Sequence, residues 1–297
     1  MKILPVIDMT AYLAVMDKLD GEPSKLKEQL GPELTESCKQ LARVLSEAGA
    51  VVVKDPRCSA EENEHFIEMM ERYYETPVEY KRPQERPSLR YQVGITPEKV
   101  EVPRAMVDEK LQEKIRAMCN SKESQPATLT GPDLKWRYMW SVGPRPSKTQ
   151  FKELNADPVI PEGFPGWVET MNSWGYKMMA ATEVVAEMLA IGYGLPKDAF
   201  TSLMKQIEYL TAGDCMAGLH EVIVTDKTIE AIKQAKEQNR SLWRVSSTFF
   251  AHIASDAVLK PLGHFAESPL ASNYPPLYAG ELMEQEFTFL NLKGNEA

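Results

Sequence analysis

The 297-residue chain carries 43% hydrophobic and 26% charged residues, which is ordinary for a folded globular protein and excludes a disordered or low-complexity class. A formal net charge of −9 and a sequence pI near 5.2 argue against a surface built to neutralise phosphates, so neither nucleic acid nor an anionic membrane is the expected partner. A small molecule fits better. Cys38, Cys58, Cys119 and Cys215 are far apart and form no C-x-x-C pair, as expected of reduced packing thiols. The N-terminus "MKILPVIDMT" meets a proline and an aspartate before a signal-peptide core could form. The longest apolar stretch, "MMAATEVVAEMLAIGYGL", is interrupted by Glu183 and Glu187, so a cytoplasmic protein without a membrane span is expected.

In chain order, "ILPVID" at 3–8 is a short apolar run. Leu34, Cys38, Leu41, Val44 and Leu45 then recur at helical spacing, Gly49 stops the helix, and Val51 to Val53 read as a buried strand. Ser59 is the expected N-cap of a second helix with Phe66, Met69, Met70 and Tyr73 on its apolar side, ending before Pro77. His65 on that helix reads as a partly exposed side chain. Residues 82–104 are rich in proline and charge and read as a loop, followed by an amphipathic helix in "DEKLQEKIRAMC". From 124 to 166 prolines and glycines break every period, yet the aromatics of "LKWRYMW" require this stretch to cover a core.

Trp167, Met171, Trp174, Met178, Ala181, Val185 and Met188 step by fours and threes and predict a long helix over 166–191, closed by "GYGLP". "KDAFTSLMK" reads as one more short helix, and "IEYLTAGD" as turning extended. In "GLHEVIV", period two puts His220 on one face with Val222 and Val224. In "WRVSSTFF" it aligns Arg244, Ser246, Thr248 and Phe250, so guanidinium and hydroxyl project together from an apolar strand. A buried arginine needs a partner, and a carboxylate gripped by the planar fork of Arg244 with help from Ser246 would supply one. Between these stretches "VTDKTIEAIKQAKEQNRS" reads as a charged surface helix inserted in a hairpin.

With "LPVID", "ESCKQLARVLSEAGAVVV" and "FIEMMERYYETPVEYK" at one end, and "LHEV", "WRVSSTFF", "KPL" and "YPPLYAGEL" at the other, the sequence resembles the iron(II)/2-oxoglutarate-dependent oxygenases. Within them it is most similar to the isopenicillin N synthase-like branch, and the resemblance covers most of the chain. It implies an α+β fold: a double-stranded β-helix (jelly roll), here truncated, with an N-terminal mixed helix and strand region and a long supporting helix. The implied divisions are an N-terminal oxygenase-type region at 1–104, a loop-rich and helical region at 105–206, and the C-terminal part of the jelly roll at 207–297. His220 matches the distal iron-ligating histidine. Arg244 and Ser246 match the Arg-x-Ser pair that binds the C5 carboxylate of 2-oxoglutarate, a pair that in this branch can instead hold a substrate carboxylate. The implied cofactors are Fe(II) and 2-oxoglutarate, and the implied reaction is oxidation of a small organic substrate by a dioxygenase.

One part of the pattern is missing. Iron in this family is held by two histidines and a carboxylate, the first histidine and the acid coming together as His-x-Asp. The four histidines here are followed by Phe66-Ile67, Glu221-Val222, Ile253-Ala254 and Phe265-Ala266, so no His-x-Asp or His-x-Glu exists. Asp214, His252 and His264 lie in the C-terminal third but do not occupy the family spacing. The sequence therefore presents two readings: a dioxygenase-family oxidoreductase with an incomplete metal triad, or an inactive isoform keeping a carboxylate pocket or an interaction role. A strand-bearing segment absent between Lys205 and Glu208 accounts for the gap, and the sheet edges so exposed would favour self-association.

Overall fold

The computed structural model describes residues 4–118, 131–201, 207–216, 224–250 and 254–290. In chain order these form β1 (Val6–Asp8), α1 (Thr10–Leu13), α2 (Pro23–Ala48), β2 (Val52–Lys54), α3 (Ala60–Tyr74), α4 (Val78–Lys81) and β3 (Gly94–Thr96). There follow α5 (Arg104–Val107), α6 (Glu109–Met118), β4 (Arg137–Met139), α7 (Trp167–Gly192), α8 (Ile207–Leu210), α9 (Asp226–Glu237), β5 (Val258–Leu259), β6 (Leu277–Tyr278) and α10 (Ala279–Phe289). Among the described residues the strands make three small, unclosed pairs: parallel β1–β2 and antiparallel β3–β4 and β5–β6. The double-stranded β-helix implied by the resemblance is not formed by these residues. No helix among them is long and apolar enough to cross a membrane.

The chain divides into two compact units. The first comprises residues 1–64, 172–220 and 247–279. Its centre is α2, which buries Leu26, Leu30, Cys38, Leu41 and Ala42. The helix breaks its regular geometry at Gly31 (φ 70°) just before Pro32, a ring that cannot continue the hydrogen-bond ladder. It ends at Gly49 in the left-handed conformation (φ 63°), whose N–H donates to Leu45 O at 2.8 Å. The C-terminal part of α7 buries Val184, Ala186, Met188, Leu189 and Ala190, and Tyr12 donates a hydrogen bond to Glu187 at 2.9 Å. Burial pushes the Cys38 thiol up to about 12, as suits an inert packing residue.

The second unit comprises residues 65–171, 221–246 and 280–297. Tyr73, fully buried, is the hub of an aromatic cluster with ring centroids 5.0 Å from Tyr138, 5.0 Å from Trp167 and 5.6 Å from Phe164. Its hydroxyl donates to Gln84 Oε1 at 3.0 Å. Here the stretch 82–104 departs from a pure loop: Gly94–Thr96 pairs with Arg137–Met139, because Val93, Ile95 and Thr96 are buried while Gly94 (φ 75°) lets the backbone pass against the Gln84 carbonyl.

Several expected elements stand where the spacing put them. The long helix is Trp167–Gly192, and the Ser59 cap is present: Ser59 Oγ accepts from Glu62 N–H at 3.2 Å while Glu62 Oε2 accepts from Ser59 N–H at 3.2 Å, a reciprocal capping box. The inserted charged helix is Asp226–Glu237, capped by Thr225 and Thr228. "IEYLTAGD" is the correction. Ile207–Leu210 is a helical turn, with Thr211 Oγ1 donating to Ile207 O at 2.7 Å and Gly213 (φ 82°) donating to Glu208 O at 2.8 Å. A glycine able to enter the left-handed region closes the turn locally, and that outweighs the extended preference of its neighbours. The expected short helix in "KDAFTSLMK" falls partly outside the described residues, its 197–201 portion being turn.

The approach of α2 to α7 yields a test. A Cβ at Gly192 would meet the Cys38 carbonyl oxygen and come within 2.8 Å of Ala42 Cβ. In an open helix Gly→Ala stabilises by about 1 kcal/mol. Here Gly192→Ala is expected to destabilise by about 1–3 kcal/mol through overpacking, read as a lower Tm in a circular dichroism melt. A raised Tm would show that the two helices are not in contact at this glycine.

Candidate functional site

Residues 241–250 form no helix or strand and pair with no strand among the described residues, and Arg244 and Ser246 are both exposed. This corrects the expectation of a buried arginine on an apolar strand face. Exposure along the segment does not alternate, because only Ser241, Val245 and Phe249 are half-buried. Without a neighbouring ladder no pleat imposes period two. Among the described residues neither the Arg244 guanidinium nor the Ser246 hydroxyl has an ion pair or hydrogen bond. A planar five-donor fork and a hydroxyl two residues on are therefore free to meet an anion.

What holds this segment is its flanks. In the second unit the Trp243 ring stacks on Tyr74 at 5.3 Å and 29°. The Lys81 ammonium lies 5.5 Å from the Trp243 ring centroid and 4.7 Å from that of Trp136. Lys81 is 3% exposed and donates to Tyr74 O at 2.5 Å, and burial holds its pKa below the ordinary lysine value. The cation is thus satisfied by two ring faces and a carbonyl rather than by a carboxylate. In the first unit Trp174 Nε1 donates to Ser247 Oγ at 3.0 Å.

His220, the expected metal ligand, lies outside the described residues, as does His252. The other candidates are engaged elsewhere within their units. His65 Nε2 faces Thr170 Oγ1 at 3.3 Å, the Asp214 carboxylate accepts from Ser46 Oγ at 3.3 Å, and His264 packs on Phe265 with ring centroids 4.1 Å apart. Among the described residues no group of three or more His, Cys, Asp or Glu side chains could hold a metal ion.

A second set of charges was not singled out by the sequence reading. Glu101, 5% exposed, sits in contact with Arg137 Nη1, and its other oxygen takes Lys135 Nζ at 2.7 Å. Lys135 also pairs with Asp133 at 2.7 Å. Burial pulls the Arg137 guanidinium below its ordinary value, against the opposing attraction of Glu101. Burial likewise pushes the Tyr74 hydroxyl up to about 12. The available signal was "LKWRYMW", where period two puts Lys135 and Arg137 on the face opposite Trp136 and Tyr138. The aromatics drew the reading toward packing.

No protein-family model matches the chain, and no curated protein matches it. Solved structures do. A 2OG-Fe(II) oxygenase family protein from Caulobacter crescentus superposes with a TM-score of 0.66 at 16% identity, covering 97% of this chain and 99% of its own. A full-length Neurospora crassa protein in complex with alpha-KG gives a TM-score of 0.61 at 12% identity, covering 96% of each chain. The same Neurospora protein in complex with alpha-KG and thymine gives 0.61 at 13% identity. The fold is that of the 2OG-Fe(II) oxygenases. At these identities the likeness fixes the oxygenase fold, while the branch within it and the chemistry are decided by side chains.

The flank contacts make a measurable claim. Trp243→Ala is expected to cost about 1–3 kcal/mol, the sum of one aromatic stack and a desolvated cation–π contact, with Trp243→Phe retaining most of it. Urea unfolding of both variants checks this. Equal stability of Trp243→Ala and the parent would mean that the stack with Tyr74 and Lys81 does not anchor the segment.

Proposed function

We propose that the chain is a 2-oxo acid-binding protein of the 2OG-Fe(II) oxygenase fold, in which Arg244 and Ser246 take the terminal carboxylate of 2-oxoglutarate. The observation that carries this reading is the Arg244 fork and Ser246 hydroxyl, two residues apart, both exposed and without a protein partner among the described residues. Two parallel N–H donors match a carboxylate, and the hydroxyl adds a third donor. In water such a contact is worth at most about 1 kcal/mol. Millimolar affinity corresponds to about 4 kcal/mol, so further groups must enclose the acid to reach it.

The described side chains do not fit a resident iron. No histidine of the sequence begins a His-x-Asp or His-x-Glu, and the described side chains offer no three-ligand group. His220 alone could not hold Fe(II) against water. No catalytic step is therefore derived through iron. We read the chain as an isopenicillin N synthase-like jelly roll lacking the strands that carry the first histidine and the acid, between Lys205 and Glu208. The small unclosed sheets are in keeping with that reading. The second reading, an oxidoreductase acting on a small organic substrate, is favoured by the reach of the fold likeness, 96–97% of this chain.

Calorimetric titration separates the two. 2-Oxoglutarate is expected to bind the parent and to lose about fivefold in affinity in Arg244→Ala, with no stoichiometric Fe(II) retained and no succinate formed. Unchanged binding in Arg244→Ala would remove the proposed acid site. Stoichiometric iron with succinate production would establish the second reading instead.

A further inference from the structure

In the second unit α9 is left uncovered by the described residues. No residue from Val224 to Arg240 is buried, and only Thr228 and Ala235 are half-buried. The Thr225–Thr228 capping box closes one end and the Arg240 N–H to Ala235 O bond the other, so the 12 residues form a complete helix about 18 Å long. Ile229 and Ile232 are 46% and 40% exposed. Three residues apart, they make one apolar ridge, extended a turn on either side by Thr225 and Lys236. An amphipathic helix ordinarily lays such a ridge on a core, and this one meets water.

The charges beside the ridge select the occupant. The chain carries −9, which opposes self-association in general, but on α9 itself Asp226, Glu230 and Glu237 are balanced by Lys227, Lys233 and Lys236. Residues 225, 229, 232 and 236 follow the four-three-four spacing of a two-helix seam. A second α9 laid antiparallel sets Ile229 of each copy against Ile232 of the other, and Thr225 against Lys236. Asp226 and Lys233 share one flank of the seam, so Asp226 of each copy meets Lys233 of the other and the ion pair forms twice. Neither side chain has an ion pair or hydrogen bond among the described residues. Thr228 and Ala235, on the other flank, are small enough for close approach. A parallel alignment fails, because it stacks Lys236 on Lys236 and gives Asp226 no cation.

We propose that the Ile229–Ile232 face of α9 is an interface between two copies of this chain, paired antiparallel about a two-fold axis. So short a seam buries less than the about 1,200 Å² of stable complexes, so the dimer is transient and fills at high protein concentration. The proposal is independent of the Arg244 reading.

Sedimentation equilibrium of the full chain at low salt, from micromolar to millimolar protein, is expected to show a monomer–dimer equilibrium. Lys233→Glu, which turns both ion pairs into repulsions, is expected to weaken it about tenfold, and Ile232→Gln to abolish it. The double exchange Asp226→Lys with Lys233→Glu is expected to restore dimerisation, and Gln234→Ala, on the far side of the helix, to leave it unchanged. A monomer at every concentration, assemblies larger than a dimer, a dimer indifferent to Ile232→Gln and Lys233→Glu, an equal loss in Gln234→Ala, or a double exchange that restores nothing would each overturn the proposal.

Discussion

A lysine ammonium withdrawn from water must be compensated or the surrounding structure cannot close over it, and Lys81 meets that constraint with two indole faces and the Tyr74 carbonyl. The consequence reaches well beyond one residue. Trp136 belongs to the approach to β4, Trp243 to the segment carrying Arg244, and Tyr74 to the end of α3. Compensating a single cation thus ties three distant pieces of sequence together within the second unit.

The two arginines of interest illustrate opposite solutions to the same electrostatic problem. Arg244 stays in water, where a guanidinium costs nothing to keep charged and gains little from a single partner. Arg137 is covered, and there burial lowers its pKa while Glu101, in contact with it, acts in the opposite direction. Interactions of the first are screened by water. At the second, desolvation magnifies each satisfied or unsatisfied hydrogen bond. The same fold offers both environments.

Much of the framework was legible along the chain. The α7 helix, the Ser59 cap, the Gly49 stop, the strand after it and the inserted charged helix all rest on local rules: helical spacing, a side-chain cap, a left-handed glycine. The expected burial of that strand does not hold, since Val52 is 43% exposed. Where the reading failed, a non-local term was missing or a local one was underweighted. "IEYLTAGD" has an extended composition, yet Thr211 and Gly213 close a turn within seven residues. "WRVSSTFF" has the alternation of a strand, but alternation is realised only when a partner strand supplies the ladder.

The sequence by itself determined the helical scaffold, the resemblance to the oxygenases, and the absence of a His-x-Asp pair, because each is written in neighbouring residues or in residue identity. Only the tertiary structure decided which charges are covered. Lys81 just before the proline-rich loop, Glu101 within it and Arg137 in an irregular stretch look like surface residues, and nothing in their spacing predicts burial. Their state is set by what packs over them: the indoles of Trp136 and Trp243 in one case, the β3–β4 pairing in the other. Desolvation is a property of the assembled neighbourhood and not of the residue.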